Sequence, residues 1–329
     1  MMYFYDNKIK VMLGNNLVFI VACSLIIISS VVYLNRELEN VKLQAIQATT
    51  LIITEATSEK AVTKTTTTAP PTHLVNDLFL DGCRHVYLDI GANIGVQVRK
   101  IFEPQFYPRA KVLPYYDKHF GTVKERVKPN HVCAVGFEAN PLHSEALKKI
   151  ERCYNKRGWK VKFFVPAAVS NVDGKDVTFF IDNASKDMHW GSSLFINYGK
   201  EGIKLKTIDI ARYIMEEVVP RKLPEGIEKG NCSIFAKIDI EGAEYDVISS
   251  LLMKGAFCHL TFAVIEWHSR YFKNTSSAAF VNRFEDIVRF LLNQPTDRIG
   301  CNPTKLQNFD DERYRTDGMP LPCNVSDLL

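Results

Sequence analysis

The chain has 329 residues, 46% of them apolar and 24% charged, with a formal net charge of +4. These values are ordinary for a globular protein of one large domain or two small ones. The charge is too small, and the basic residues too evenly spread, for a nucleic-acid surface. Eight cysteines without a Cys-x-x-Cys pair rule out a small disulfide scaffold and give no zinc spacing.

From Val11 to Asn35 no residue is charged, and Leu17 to Ile28 is almost wholly apolar. A run of that length can span a bilayer as a helix. The competing reading is a cleaved signal peptide, whose apolar region is normally shorter and ends in a small-x-small site; no convincing Ala-x-Ala follows, so an uncleaved anchor is preferred. The expected organisation is a short cytoplasmic N-terminus at 1–15, a transmembrane signal anchor at 16–34, a stalk at 35–75 and a globular domain at 76–329. Thr49 to Thr72 is rich in threonine, ends in Pro70-Pro71, and reads as an extended, O-glycosylated stalk. Asn183, Asn231, Asn274 and Asn324 open N-glycosylation sequons. Together these features predict a single-pass type II protein of the Golgi or another secretory membrane, with its catalytic domain in the lumen. Its later cysteines would meet oxidising conditions, and Cys301 and Cys323 are candidates for a bridge.

The globular domain opens with His85-Val-Tyr-Leu-Asp89-Ile90, an apolar β-type run, followed by Gly91-Ala-Asn93-Ile-Gly95 and a helical pattern. Strand, glycine turn and helix start are how doubly wound α/β folds build a nucleotide site. The glycine spacing is Gly-x-x-x-Gly, not the Gly-x-Gly-x-x-Gly of a dinucleotide fingerprint. An acid two residues before the first glycine suits a ligand that carries a cationic amine, such as S-adenosylmethionine. Glu103 to Asn130 breaks the rhythm with four prolines and several aromatic residues, and reads as an insertion (103–131) over the ligand face.

Val132 to Phe137 is the second strand, and Glu138-Ala-Asn140-Pro141 ends it. A carboxylate there can accept from both ribose hydroxyls of a nucleotide. Trp159 to Val165 is a third strand; the small residues after it, Ala167 and Ala168, would let a purine lie against backbone. Val177 to Ile181 and Ile203 to Ile208 read as further strands, with a helix near Asp209 to Val218 and a polar loop, Asn183 to Ser193, holding His189 and Trp190. Ile234 to Ile240 then delivers Lys237, Asp239 and Glu241 at period two before Gly242. Charges at the end of an apolar strand are costly unless paired or used, so the competing reading is an internal Lys237 ion pair. Leu260 to His268 repeats the plan, with Glu266 and His268 at its end. Asn274 to Leu292 is an amphipathic helix whose stripe of Phe280, Phe284, Ile287, Val288 and Leu291 should face the core, and the tail beyond it shows no clear closing strand.

With Asp89-x-Gly91-x-Asn93-x-Gly95, Phe137-Glu138-x-Asn140-Pro141 and Lys237-x-Asp239-x-Glu241-Gly242-Ala-Glu244 in that order, the chain resembles the FkbM-type methyltransferases from Arg84 to Leu292. The resemblance implies a class I methyltransferase fold, S-adenosylmethionine as donor and transfer to a hydroxyl oxygen. Carried over by position, Asp89 would face the donor's amino group and the turn through Gly91, Asn93 and Gly95 would pass beneath it. Glu138 would bind ribose with Asn140 nearby, and Ala167 would border adenine. Asp239, Glu241, Glu266 and His268 would open toward the acceptor, a glycan or another secretory-pathway hydroxyl, and Asp239 or Glu241 with His268 would take its proton. No spacing demands a metal, although Asp239 and Glu266 could serve as ligands in a metal-assisted version. Two other classes compete: a non-catalytic binding or scaffold protein on the same fold, and an NAD-linked oxidoreductase, which the glycine spacing disfavours.

Overall fold

Val86, Leu88 and Ile90 alternate with Tyr87 and Asp89 along β1 (His85–Ile90), a strand buried on both faces. Such a strand needs a helical layer on each side. The computed structural model describes residues 78–182, 189–195, 202–292, 305–307 and 319–323. The chain divides into Met1–Thr68 and Ala69–Leu329, and every described residue lies in the second unit. No helix among the described residues is long and apolar enough to cross a membrane. The expected anchor and stalk, the sequons at Asn183 and Asn324, and Cys301 lie outside the described residues.

β1 stands between β2 (Val132–Phe137) and β7 (Ile234–Ile238), with β3 (Lys160–Phe164) beyond β2 and β8 (Phe262–Ile265) beyond β7. A short strand, β9 (Lys305–Gln307), pairs with β8, so the tail does supply a closing strand. The order is β3-β2-β1-β7-β8-β9, every pairing is parallel, and the order reverses between β1 and β7. A second sheet joins β4 (Ala168–Ser170), β6 (Ile203–Asp209) and β5 (Asp176–Phe179) in that spatial order.

Val86, Leu88, Ile90, Ala236 and Ile265 pack against residues such as Ile214, Val247, Ile248 and Leu251 on one side of the sheet. Those partners come from the helical stretch Ile210–Val218 and from a helix at Glu244–Met253. Tyr87, Ala134, Phe235 and Phe262 face the other layer, formed by α1 (Val96–Phe102), α2 (Leu113–Phe120), α3 (Val123–Arg126) and α4 (Ser144–Lys156). In chain order the Ile210–Tyr213 helix, the Glu244–Met253 helix and the last, Ala278–Leu292, are α5, α6 and α7.

Two expectations change here. The 103–131 segment does not cover the ligand face: its helices α2 and α3 belong to a helical layer on the sheet. Tyr116 and Phe120 are fully buried, with the Tyr116 ring 5.5 Å from Tyr87 and 5.3 Å from Phe235. Large aromatic rings at helical spacing gain more by covering an apolar sheet than by waiting for a ligand. On α7 the buried face is Val281, Phe284 and Val288, whereas Phe280 and Ile287 are 55% and 49% exposed. The true stripe is rotated by about one residue, toward Val281.

The cysteines also pair differently from the Cys301–Cys323 expectation. Cys323 is bonded to Cys153 of α4, and Cys83 to Cys133 of β2. Cys258 is disulfide-bonded as well, and Cys232 is the free thiol among the described residues. Cys323 reaches α4 because buried Arg99 of α1 donates to the Met319 and Pro320 carbonyls and Arg157 donates to that of Pro322.

Candidate active site

A cleft of about 530 Å³ opens where β1 and β7 part, beyond the C-terminal ends of the strands. Open α/β sheets bind ligands at such a switch point. At its floor the backbone of Asp239 crosses Gly91: a Cβ built on Gly91 would stand 1.8 Å from the Asp239 carbonyl oxygen. Gly91 also has φ 91°, so glycine is required twice over. Gly95 (φ 84°) caps α1, and a Cβ there would meet Ile150 and Leu147 of α4. Its glycine serves helix packing and does not line the cleft.

One end of the cleft is built around Glu138. Oε2 accepts the Asn93 backbone N–H at 2.6 Å and Oε1 accepts that of Asn140 at 2.7 Å. The carboxylate thereby ties the β1 turn to the end of β2. Asn93 sits at φ 48°, while the Asn140 side chain accepts the Leu142 N–H and starts the turn into α4. Asn93, Glu138, Ala139, Ala167, Ala168 and Val169 form the wall here, and Ala167 donates its N–H to the Glu138 carbonyl at 2.7 Å. Asn140 stands behind this wall. So does Asp89, which is fully buried, accepts from the Tyr87 hydroxyl at 3.4 Å and lies opposite Gly136 and Lys237 in register. As a member of the strand ladder, Asp89 points where Tyr87 points, toward the α1 layer, rather than onto the wall expected for it.

At the other end Asp239, Glu241 and Glu266 line the cleft, and His268 lies just behind them without solvent exposure. β7 stops at Ile238, so strand alternation does not extend to Glu241, which sits at φ 51°. The acids converge by another device. Glu244, fully buried at the start of α6, accepts the backbone N–H groups of Ile240 (3.0 Å) and Gly242 (2.9 Å) and the Nδ1–H of His268 (2.7 Å). It folds the turn after β7 and aims the imidazole at once. His268 Nε2 then stands 3.7 Å from Asp239, 3.4 Å from Glu241 and 3.5 Å from Glu266. Lys237 donates to Asp239 at 2.8 Å, so the expected internal ion pair is present, on an acid that also faces the cleft. Arg270 (3.1 Å) and the Tyr271 hydroxyl bond Glu241 Oε2.

Burial raises the Asp239 carboxyl, opposed first by the Lys237 ammonium and reinforced by the Glu266 charge. Burial also lifts Glu241 to about 7, against the pull of His268 and the Tyr271 hydroxyl. For His268 burial favours the neutral ring, but the hydrogen bond to Glu244, the Glu266 carboxylate beside Nε2 and the charges of Glu244 and Glu241 outweigh it and raise the pKa to about 10.

His189, Trp190, Ser192 and Leu194 close a further side of the cleft. Ser193 fastens this loop by donating from Oγ to the Glu241 carbonyl at 2.7 Å. Sequence reading singled out His189 and Trp190 only as loop residues, and it passed over Glu244 and Arg270 as site residues. The signal available for Glu244 was its place in the Lys237–Glu244 run.

A parallel sheet of this order with its cleft at the switch point defines a Rossmann-like α/β fold. The model of the methyltransferase FkbM domain matches residues 89–298, and the chain belongs to that family. No curated protein and no solved structure matches it.

Proposed function

We propose that the chain moves a methyl group from S-adenosylmethionine to a hydroxyl oxygen of a secretory-pathway acceptor, a glycan being the acceptor class. The observation that carries this reading is one cleft with a ribose-type carboxylate at one end and a buried acid–imidazole cluster at the other. The donor fits the residues present. Each Glu138 oxygen takes one backbone N–H and keeps lone-pair capacity for a ribose hydroxyl. Ala167, Ala168 and Val169 offer a shelf of small side chains for a flat purine. A pyrophosphate finds no comparable cradle, since Gly95 packs against α4.

When bound, S-adenosylmethionine supplies an electrophilic methyl carbon on sulfur. The chain's own work is to align the acceptor oxygen with that carbon and to take its proton. Glu241 lines the cleft, and its carboxyl titrates near neutrality, as a base for a hydroxyl should. Arg270 and Tyr271 orient that carboxylate. Glu241 would take the proton that the acceptor hydroxyl gives up. Exposed sequons at Asn231 and Asn274, two described disulfides and the apolar run at 16–34 support a lumenal domain on a type II anchor.

The test is calorimetric titration of the purified full chain with S-adenosylmethionine, followed by labelled-methyl transfer onto a glycan array. Glu138→Gln should weaken donor binding about tenfold or more, whereas Glu241→Gln should keep donor binding and lose about 100-fold in turnover. A folded chain that binds no donor would overturn the reading.

A further inference from the structure

We propose that Asp239, Glu266 and His268 form a binding site for one divalent metal cation of the manganese or magnesium kind. Each offers one ligand atom, and the three atoms lie within 4.8 Å of one another. The decisive feature is the direction of the imidazole. The Glu244 carboxylate can only accept, so the hydrogen bond from Nδ1 places the ring proton there and leaves the Nε2 lone pair free in the neutral ring. His268 has no solvent exposure, and its Nε2 makes no hydrogen bond. Nε2 instead faces carboxylate oxygens at 3.4 to 3.7 Å, none of them in a hydrogen bond with it. Atoms bound about 2.1 Å from a shared cation stand roughly 3.0–3.5 Å apart, so small movements would complete the site. A carboxylate holding the far nitrogen of a ligating histidine is the usual support behind a metal.

Charge points the same way. Four carboxylates, Asp239, Glu241, Glu244 and Glu266, lie within 4 Å of the imidazole nitrogens, and the described basic side chains that pair with them are Lys237 and Arg270. A bound dication would take the place of the ring proton and hold the acids ionised; the cluster would then carry two negative charges, the charge of one dication. Two carboxylates with one imidazole make a predominantly oxygen donor set, which suits a hard cation. Asp239 and Glu266 line the cleft, so a bound cation would keep positions open toward it. There it would hold the acceptor hydroxyl and make its proton easier to remove, with Glu241 left as proton acceptor. This role rests on the methyl-transfer reading; the site itself does not.

The test strips the purified full chain with chelator and titrates it with MnCl2, following free Mn2+ by electron paramagnetic resonance. One saturable site per chain is expected, with pulsed spectra showing coupling to one imidazole nitrogen. Asp239→Asn and Glu266→Gln should each weaken Mn2+ binding at least tenfold, and Glu244→Gln, a positioning change, by roughly 10–100-fold. Glu266 is partly exposed, so its variant keeps the comparison valid if Asp239→Asn does not fold. A wild-type chain that binds S-adenosylmethionine but has no saturable Mn2+ site overturns the proposal. So does a site without nitrogen coupling, or one of equal strength in both variants, which would leave His268 as an imidazolium among acids. Mn2+ binding without donor binding upholds the site and defeats the methyl-transfer reading instead.

Discussion

Gly91 is the residue whose replacement the structure tolerates least. Alanine there would need φ 91° and would drive its methyl to within 1.8 Å of a backbone oxygen that cannot swing away. Gly91→Ala should therefore cost at least ~2–4 kcal/mol and weaken donor binding with it, as read from a denaturant melt and a donor titration. Gly95→Ala meets the ends of Ile150 and Leu147 side chains and should leave donor affinity nearer wild type. An unchanged melt for Gly91→Ala would mean that the β1 and β7 turns do not touch. At this scale much of the site was legible. Glu138 and the run from Lys237 to Glu244 stood out because charge at the end of an apolar strand demands a reason. Asp89 shows the limit: strand alternation fixes which face a side chain takes, not whether that face is open. Arg270, Trp190 and His189 were not legible as wall residues, since they come from loops whose approach to the cleft depends on tertiary packing.

At the scale of elements, period-two patterns located the main strands well, because both faces of a parallel sheet are buried and the runs are nearly continuous. The α7 stripe was misjudged because apolar residues crowd both shoulders of that helix, and only packing decides which shoulder is covered. The 103–131 segment was misplaced for a related reason: its tyrosines and phenylalanines look available for a ligand until Tyr87, Phe235 and Phe262 are seen to need a cover. That placement is testable. Tyr116→Ala removes a fully buried ring and should cost about 3–5 kcal/mol while leaving the donor dissociation constant unchanged in the folded protein. A large change in donor affinity, with little loss of stability, would put the segment back over the cleft.

For the whole molecule, acid should be more damaging than the carboxylates alone would make it. His85, at the start of β1, accepts the Ser233 N–H on Nδ1, and burial, with the charges of His131, Arg84, Arg221 and His119 adding to it, lowers its pKa to about 3. The unfolded chain takes up this proton near 6.5 and the folded one only near 3, so stability is complete above 6.5 and falls as pH drops through that window. The loss should reach on the order of 3 kcal/mol, and His85→Asn should flatten the slope between those limits in equilibrium melts.

The two described disulfides divide this molecule in a way that the sheet does not. The bond from Cys83 to Cys133 closes a ring that contains Asp89, Gly91, Asn93 and Gly95. The bond from Cys153 to Cys323 closes another that contains Ala167, Asp239, Glu241, Glu266 and His268. Glu138 and Asn140 lie on the short open stretch between them. The acidic end of the cleft thus lies inside one covalent circle, while the Glu138 end draws on both circles and on the stretch between them; each circle limits how far its portion of the unfolded chain can expand. Reduction of either bond therefore reaches the Glu138 end of the cleft, whereas the acidic end answers to the bond from Cys153 to Cys323.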